Sequence, residues 1–389
     1  MSLKKNLVGL SSGAVMAAER MLRGSRVVVD SKKIKSVLFL EYLLPLGCCV
    51  HLTPAYEAIK RSRPEVTVSV ATRGLGLAVL RHNRSIDHLI ETPDPLSDLS
   101  NATKVLRREL QRRKLQPDCT FTGAADQRTR IALMGFMAGS GWRGGFTLAP
   151  QLYQRPLRYQ WDRSQIDNNL QIADLIGAGA GHFEPRVYFS QADVNAARIL
   201  AREANPSGKP LVLMVTQGSG GQRTGWHQER FVEVIRYAHE VLGCAIAYVG
   251  TAADTDAVEG IRQAAGGIGT SLAGKTSVTE LAALLALSDV VVSLDTGTMH
   301  VGRAVGVPMV VMGPSWQKPL EWLPLESANV RILRGEDRVE VPPGYKLDEV
   351  EAPIVLAALA ELLTAYPANP THQEERLRMS ISAVDHRGQ

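Results

Sequence analysis

The chain has 389 residues, with 44 Lys and Arg against 39 Asp and Glu, a formal charge of +5. The surplus is local, because residues 1–35 hold eight basic and two acidic side chains, a net +6, and the other 354 residues sum to −1. Aromatics at 5% and a nearly neutral body argue against a nucleic-acid partner, and 45% apolar with 21% charged residues excludes a largely disordered chain. The length suits two domains with sizeable cores.

Residues 3–23 place Leu3, Leu7, Leu10, Val15, Ala18 and Leu22 at roughly helical intervals, and a basic stretch follows to Lys35. This leader reads either as an amphipathic element on an anionic membrane surface, where each nearby Lys or Arg contributes about 1 kcal/mol, or as a helix packed on the body. No apolar run approaches the ~20 residues that cross a bilayer. Cys48, Cys49, Cys119 and Cys244 make no CxxC or Cys/His cluster. The expected setting is therefore a reducing cytoplasm, with a peripheral position on the inner face of the membrane.

From Val37 onward, short apolar runs alternate with amphipathic stretches, the pattern of an α/β fold with a parallel sheet covered by helices. Strands are expected at 36–41, 66–71, 87–91, 118–122 and 142–147, with helices at 51–62, 74–81, 98–115 and 127–138. The 98–115 helix carries Lys104, Arg107, Arg108, Arg112, Arg113 and Lys114, either a solvated face or a contact for an anionic partner. A helix over 162–177 ends at a glycine-rich stretch, 177–181. A second series follows, with strands at 187–189, 211–216, 244–249, 290–294 and 308–312 and helices at 191–204, 228–242, 254–265, 277–287 and 299–305. The organisation predicted is a leader 1–35, an N-terminal domain 36–185, a C-terminal domain 186–366 closed by a helix at 348–365, and a disordered polar tail 367–389.

Two strand ends carry candidate chemistry. The strand at 211–216 runs into Gln217-Gly218-Ser219-Gly220-Gly221 and then Arg223-Thr224-Gly225-Trp226. Glycines let backbone N–H groups approach a phosphate, a helix N-terminus favours negative charge, and Arg223 would add a bidentate contact. The strand at 290–294 ends at Asp295-Thr296-Gly297-Thr298-Met299-His300, directly before a helix. That turn reads equally as a ligand site beyond a strand's carboxyl end or as a helix cap with His300 packed inside. Asp254-Thr255-Asp256 has the Asp-x-Asp form of a metal site, but it opens a helix, where acidic residues cap. No metal site is assigned.

The ordered set Leu272-Ala273-Gly274-Lys275-Thr276-Ser277, Glu280 to Leu285, Asp295 to His300, Gly306-Val307-Pro308 and Gly313-Pro314 resembles glycosyltransferase family 9, which contains the ADP-heptose:lipopolysaccharide heptosyltransferases. The resemblance covers about 210–325 and reaches the first half weakly, through Leu46-Gly47, Thr53-Pro54 and Arg63-Pro64. It implies the GT-B fold: two facing Rossmann-like domains with parallel sheets, the nucleotide sugar on the C-terminal one and the acceptor on the N-terminal one. It implies inverting, metal-independent and cofactor-free transfer of a heptose or related sugar. The donor would be a nucleoside-diphosphate sugar, expected to be an ADP-sugar, and the acceptor a lipopolysaccharide-type, cell-envelope or lipid-linked glycan. Gly218, Ser219, Gly220, Arg223, Thr296, Gly297, Thr298 and His300 would then hold the donor, with Asp295 at its reacting end.

The resemblance breaks where the family carries Gly-Asp after the first strand, its candidate general base; here the pair is Gly47-Cys48. A thiol with a reference pKa near 8.5 is a poor substitute for a carboxylate base. Glu41, at the strand end, or His51, at the start of the next helix, would have to take the proton. The Lys expected before the Trp of the glycine loop is also missing, with Arg223 the nearest cation. These losses equally fit a relative that keeps the fold as a nucleotide-sugar-binding or scaffold protein.

Overall fold

The computed structural model describes residues 30–386 apart from 44, 140, 141, 180, 219–224, 317 and 325. The leader up to residue 29 and the loop contacts assigned to Ser219, Gly220 and Arg223 lie outside the described residues. The chain divides into two compact units, Met1–Pro185 with His386–Gln389, and Arg186–Asp385.

Unit 1 alternates β1 (Ser36–Leu40), α1 (Leu46–Ser62), β2 (Thr67–Thr72), α2 (Gly74–Leu80), β3 (His88–Glu91), α3 (Leu99–Arg112), β4 (Cys119–Thr122), α4 (Thr129–Met137), β5 (Trp142–Phe146), β6 (Arg155–Leu157) and α5 (Gln165–Asp174). Its six strands lie in the order β3-β2-β1-β4-β5-β6, and the pairs along the sheet are parallel. Unit 2 starts with α6 (Gln191–Ala204), then β7 (Leu211–Val215), α7 (Gln228–Glu240), β8 (Ala245–Tyr248), α8 (Thr255–Ala264), β9 (Thr270–Ser271), α9 (Val278–Leu287) and β10 (Val290–Leu294). It continues with α10 (Gly297–Val305), β11 (Met309–Met312), α11 (Pro319–Trp322), β12 (Val330–Leu333), α12 (Ala352–Ala365) and α13 (Pro370–Ser380). Its sheet has the order β12-β11-β10-β7-β8-β9. In each unit the first and fourth strands are neighbours and the winding reverses between them, the place where doubly wound sheets bind ligands.

The central strands are apolar throughout because helices cover both faces. Val37 to Leu40 and Val290 to Val292 are all at 0% exposure, and each large side chain so buried stabilises by about 1.5–3 kcal/mol. Gly145 in β5 has φ +104°, and a Cβ there would stand 2.3 Å from the Thr122 carbonyl oxygen, so only glycine lets β5 approach β4.

Four expectations change. Helix α1 begins at Leu46 rather than 51, with no side-chain cap, and is held by burial of most of its residues. Pro54 removes the N–H that would bond the Val50 carbonyl, and Thr53 Oγ1 donates to that carbonyl instead at 2.8 Å. The strand expected at 187–189 is only a bridge between Phe189 and Ile381. The edge strands β6, β9 and β12 escaped the sequence reading because an edge needs no continuous apolar run.

The described part of the tail, residues 367–386, is folded against the body. Asn369 caps α13 by accepting from the Thr371 N–H, and Pro370 takes the first helical position. Arg376 then donates to the carbonyls of Ala286 and Ser288, Gln373 donates to Asp289, and Leu377 is buried. Asp289 in turn accepts the Leu211 N–H that opens β7. Among the described residues no single helix is long and apolar enough to cross a membrane.

Candidate functional site

In unit 2, β7 and β10 pair from Val212 with Val290 to Val215 with Ser293, so the glycine loop and the Asp295 turn leave neighbouring strands at the same edge. Gly218 is half-buried there, and the far end of the loop is anchored by Trp226, whose indole N–H donates to Val350 O at 2.8 Å. Thr296 is the N-cap of α10, but its side chain makes no capping bond. The helix therefore presents open N–H groups from Gly297 and Thr298 onward and the positive end of its dipole.

Burial pushes the Asp295 carboxyl up to about 6. Among the described residues, Asp295 Oδ2, Thr296 Oγ1 and, beyond β11, Trp316 Nε1 are buried without a hydrogen-bond partner. Buried polar atoms are normally hydrogen-bonded, so a ligand or water that pairs with these would be held there. His300 Nε2 lies 4.0 Å from Asp295 Oδ1. Burial, and then Arg303, press His300 down to about 3, so it is neutral and the contact is dipolar rather than an ion pair. Its ring stands edge-on to Trp322 at 6.5 Å.

The Asp254-Thr255-Asp256 sequence is a cap. Asp254 Oδ2 accepts from the Thr251 N–H and Oγ1, both at 2.7 Å. Among the described residues no three His, Cys, Asp or Glu side chains gather as a metal site would need.

In unit 1 the corresponding reversal lies between β1 and β4. Glu41 directly follows β1 at 1% exposure, and its Oε2 accepts the Tyr56 hydroxyl at 2.5 Å. Burial raises its carboxyl to about 8, against the Tyr56 bond, which lowers it. Asp126, beyond β4, was not singled out from the sequence, where a lone Asp in a loop carries no signal. Its Oδ1 accepts the N–H groups of both Tyr42 and Leu43 at 2.7 Å, and burial raises it to about 7.

Cys48 sits in the first turn of α1, its thiol pushed to about 12 by burial and then by the charges of Asp126 and Glu41. The residue standing where the family has its aspartate thus faces two other carboxyls. His51 is not at a helix start. The early onset of α1 puts it in the second turn at 1% exposure, with its carbonyl accepting from Asn169 Nδ2 at 3.0 Å. The six basic side chains of the 98–115 run are divided: Arg112 and Arg113 pair with Glu109, while Lys104, Arg107, Arg108 and Lys114 are exposed.

Comparison with known proteins agrees with this architecture. The pattern of glycosyltransferase family 9 (heptosyltransferase) matches residues 129–338. A lipooligosaccharide heptosyltransferase 2 of Haemophilus influenzae is 32% identical over 133 residues, covering 31% of this chain and 38% of that relative's length. Among solved structures, a family 9 glycosyl transferase from Veillonella parvula superposes with a TM-score of 0.76 at 19% identity, covering 85% of this chain and 97% of that one. The E. coli ADP-heptose lps heptosyltransferase II gives 0.70 at 17%, covering 86% and 100%. An E. coli heptosyltransferase with ADP-2-deoxy-2-fluoro heptose gives 0.59 at 17%, covering 84% and 99%. Two six-stranded parallel sheets of doubly wound order and a family match over more than half its length identify this chain as a member of glycosyltransferase family 9, the heptosyltransferase family.

Proposed function

We propose that the chain transfers a sugar, a heptose or a close relative, from a nucleoside-diphosphate donor to a lipopolysaccharide-type or other cell-envelope glycan, with inversion and without a metal ion or cofactor. The observation that carries this is the turn after β10, where Asp295 Oδ2 and Thr296 Oγ1 lack partners among the described residues ahead of an uncapped helix. A diphosphate at that N-terminus and a ribose or sugar hydroxyl on Asp295 would satisfy both. The related structures solved with ADP and with an ADP-linked fluoro-heptose support an ADP-sugar as the donor.

In this mechanism an acceptor hydroxyl oxygen attacks the anomeric carbon, and the bond from that carbon to the diphosphate breaks, its electron pair leaving with the nucleotide. The α10 N-terminus and Arg223 stabilise the departing charge. The hydroxyl proton goes to a carboxylate, and we assign it to Asp126 ahead of the sequence candidates. Glu41, at about 8, is protonated at neutral pH with one oxygen already on Tyr56, and His51 lies inside α1. Asp126, at about 7, is poised for transfer.

The enzyme would work in the cytoplasm, its basic residues 1–35 holding it at the anionic inner membrane face near a lipid-linked acceptor. A truncation lacking 1–35 that still sediments with membranes rejects that placement. A second reading, a binding or scaffold protein, is favoured by one observation, the neutral thiol of Cys48 in place of a base. Calorimetric titration with ADP-, UDP- and GDP-sugars tests the donor site, and binding of none of them sinks both readings. Donor binding with no transfer or hydrolysis across varied acceptors selects the scaffold.

A further inference from the structure

We propose that the amino edge of the unit 1 sheet, with the outer face of α3, docks on an anionic phospholipid bilayer, and that the cavity lined by Lys33 and Arg107 takes a lipid phosphate. The choice of a bilayer rests on the membrane placement in the sugar-transfer reading; the surface itself rests on geometry and charge.

This edge lies at the other end of the strands from Asp126. Ile34 precedes β1, Asp118 precedes β4 and Trp142 opens β5. The Asp118 N–H donates to the Ser36 carbonyl at 2.9 Å and the Trp142 N–H to the Asp118 carbonyl at 3.1 Å. Between these strand starts and the last turns of α3 lies a cavity of about 720 Å³, a size that holds small ligands. Ile34, Leu110, Leu115 and Trp142 line it with apolar surface, and Lys33 and Arg107 with positive charge. Its two carboxylates are already engaged. Asp118 accepts the N–H groups of Lys35 and Ser36 at 2.8 and 2.9 Å, and Asp30 accepts the Lys32 N–H at 3.2 Å and lies 3.9 Å from Lys33 Nζ.

The cations stand on fixed segments. Arg63 donates to the carbonyls of Ser31, Lys32, Ile34 and Ile176, so one guanidinium holds the turn before β1 while Lys32, Lys33 and Lys35 stay exposed. Helix α3 buries Ala102, Leu106 and Leu110, which turns Lys104, Arg107 and Arg108 outward at spacings of three and four residues. Basic residues at the end of a helix ordinarily serve its dipole, and Arg112 and Arg113, paired with Glu109, fit that role. Lys104, Arg107 and Arg108 lie upstream of them and form no ion pair among the described residues. No exposed residue of α3 is acidic. Like charges at this spacing weaken a helix, so an array kept free of acid points to an anion outside the chain.

The leader, with Lys4, Lys5, Arg20, Arg23 and Arg26, joins the described chain at Asp30, which lines the cavity. Trp142 is 3% exposed and edge-on to Phe121 at 5.4 Å. It offers no free face for a base to stack on, so the array fits phosphates on lipid rather than on nucleic acid.

The test is flotation of the full chain with vesicles containing phosphatidylglycerol, with phosphatidylcholine vesicles as the neutral reference. Each Lys or Arg at such a surface changes partition about fivefold, so Lys104→Gln/Arg107→Gln/Arg108→Gln should weaken binding by about tenfold or more with ADP affinity unchanged. Removing exposed charges elsewhere, in Arg202→Gln/Lys209→Gln/Arg378→Gln, should change it by about twofold or less. An equal loss there, or flotation that the α3 variant keeps, overturns the surface. The cavity is read by the nitrogen-15 signal of the Trp142 indole, identified by its loss in Trp142→Phe. That signal should move with soluble dihexanoyl phosphatidylglycerol and stay still with dihexanoyl phosphatidylcholine. An indole that answers neither lipid overturns the cavity, and an equal response to inorganic phosphate overturns the lipid. Loss of polyuridylate binding in the α3 variant with flotation unchanged overturns the bilayer in favour of nucleic acid. A full chain that binds ADP but floats with neither vesicle overturns the surface alone. Flotation that depends on α3 in a protein that binds no nucleotide supports the surface and fails the transfer reading.

Discussion

Asp126 Oδ1 accepts the Tyr42 N–H at 2.7 Å, so a carboxyl from the end of β4 holds the turn that leaves β1. Asn at this position keeps an Oδ1 acceptor and loses only the proton affinity. Asp126→Asn is therefore expected to fold and bind donor normally while transfer falls by about 10²–10⁴. The wild-type rate should rise with pH through a midpoint near 7 and level off above it, following the raised carboxyl, and the variant should lose that limb. A variant that keeps wild-type turnover removes Asp126 from the mechanism.

Glu41 and Asp126 are raised in the fold from 4.5 to about 8 and from 3.8 to about 7. The folded chain therefore holds protons that the unfolded chain releases. The stability they contribute is complete below about pH 4 and is lost as pH rises through 7 to 8. Melting temperature should fall across that window, and Glu41→Gln, permanently neutral, should flatten part of the slope. Tyr56→Phe should cost about 1–3 kcal/mol, because a buried carboxyl loses its donor. Thermal melts from pH 4 to 8.5 decide both.

Cys48→Asp would restore the residue type that the family pattern has after the first strand. Here it would put a third carboxyl beside Asp126 and Glu41, which already raise the Cys48 thiol. Like charges sharing a buried site disfavour ionisation. The variant should lose about 1–3 kcal/mol in denaturant unfolding at pH 8 and less at pH 5, whereas Cys48→Ala should keep its activity. A Cys48→Asp protein as stable as wild type at pH 8 contradicts the crowding.

Asp295, raised to about 6, accepts hydrogen bonds best when ionised. Affinity for an ADP-sugar diester, whose phosphates do not titrate here, should weaken as pH falls through 6. Asp295→Asn should abolish that dependence, and Asp295→Ala should weaken binding at least tenfold, about 1.4 kcal/mol. His300, near 3, should add no pH effect of its own above 5. Calorimetry at pH 5.5 and 7.5 reads all three.

Arg376 spans the Ala286 and Ser288 carbonyls at the end of α9, just before β10. The side chain is half-buried in that position. Arg376→Ala should cost about 1–3 kcal/mol by leaving both carbonyls unpaired. Amides of 370–380 should show hydrogen-exchange protection; free exchange there would show that the tail does not dock.

The sequence by itself determined the two α/β series, the strand ends that carry glycines and Asp295, and the family, because parallel strands buried on both faces write continuous apolar runs and glycine turns have few substitutes. Three of the four edge strands, β6, β9 and β12, were invisible, since half their backbone faces out and no apolar run is required. The tail was misjudged because its charges outweighed the Asn369-Pro370 helix start. Only the tertiary structure decided the surroundings of Cys48. Glu41 and Asp126 are 85 residues apart in the chain and are brought together by the pairing of β1 with β4. Burial, which no local pattern encodes, is what moves their carboxyls toward neutrality and leaves Asp295 Oδ2 without a hydrogen-bond partner among the described residues at the carboxyl edge of its sheet.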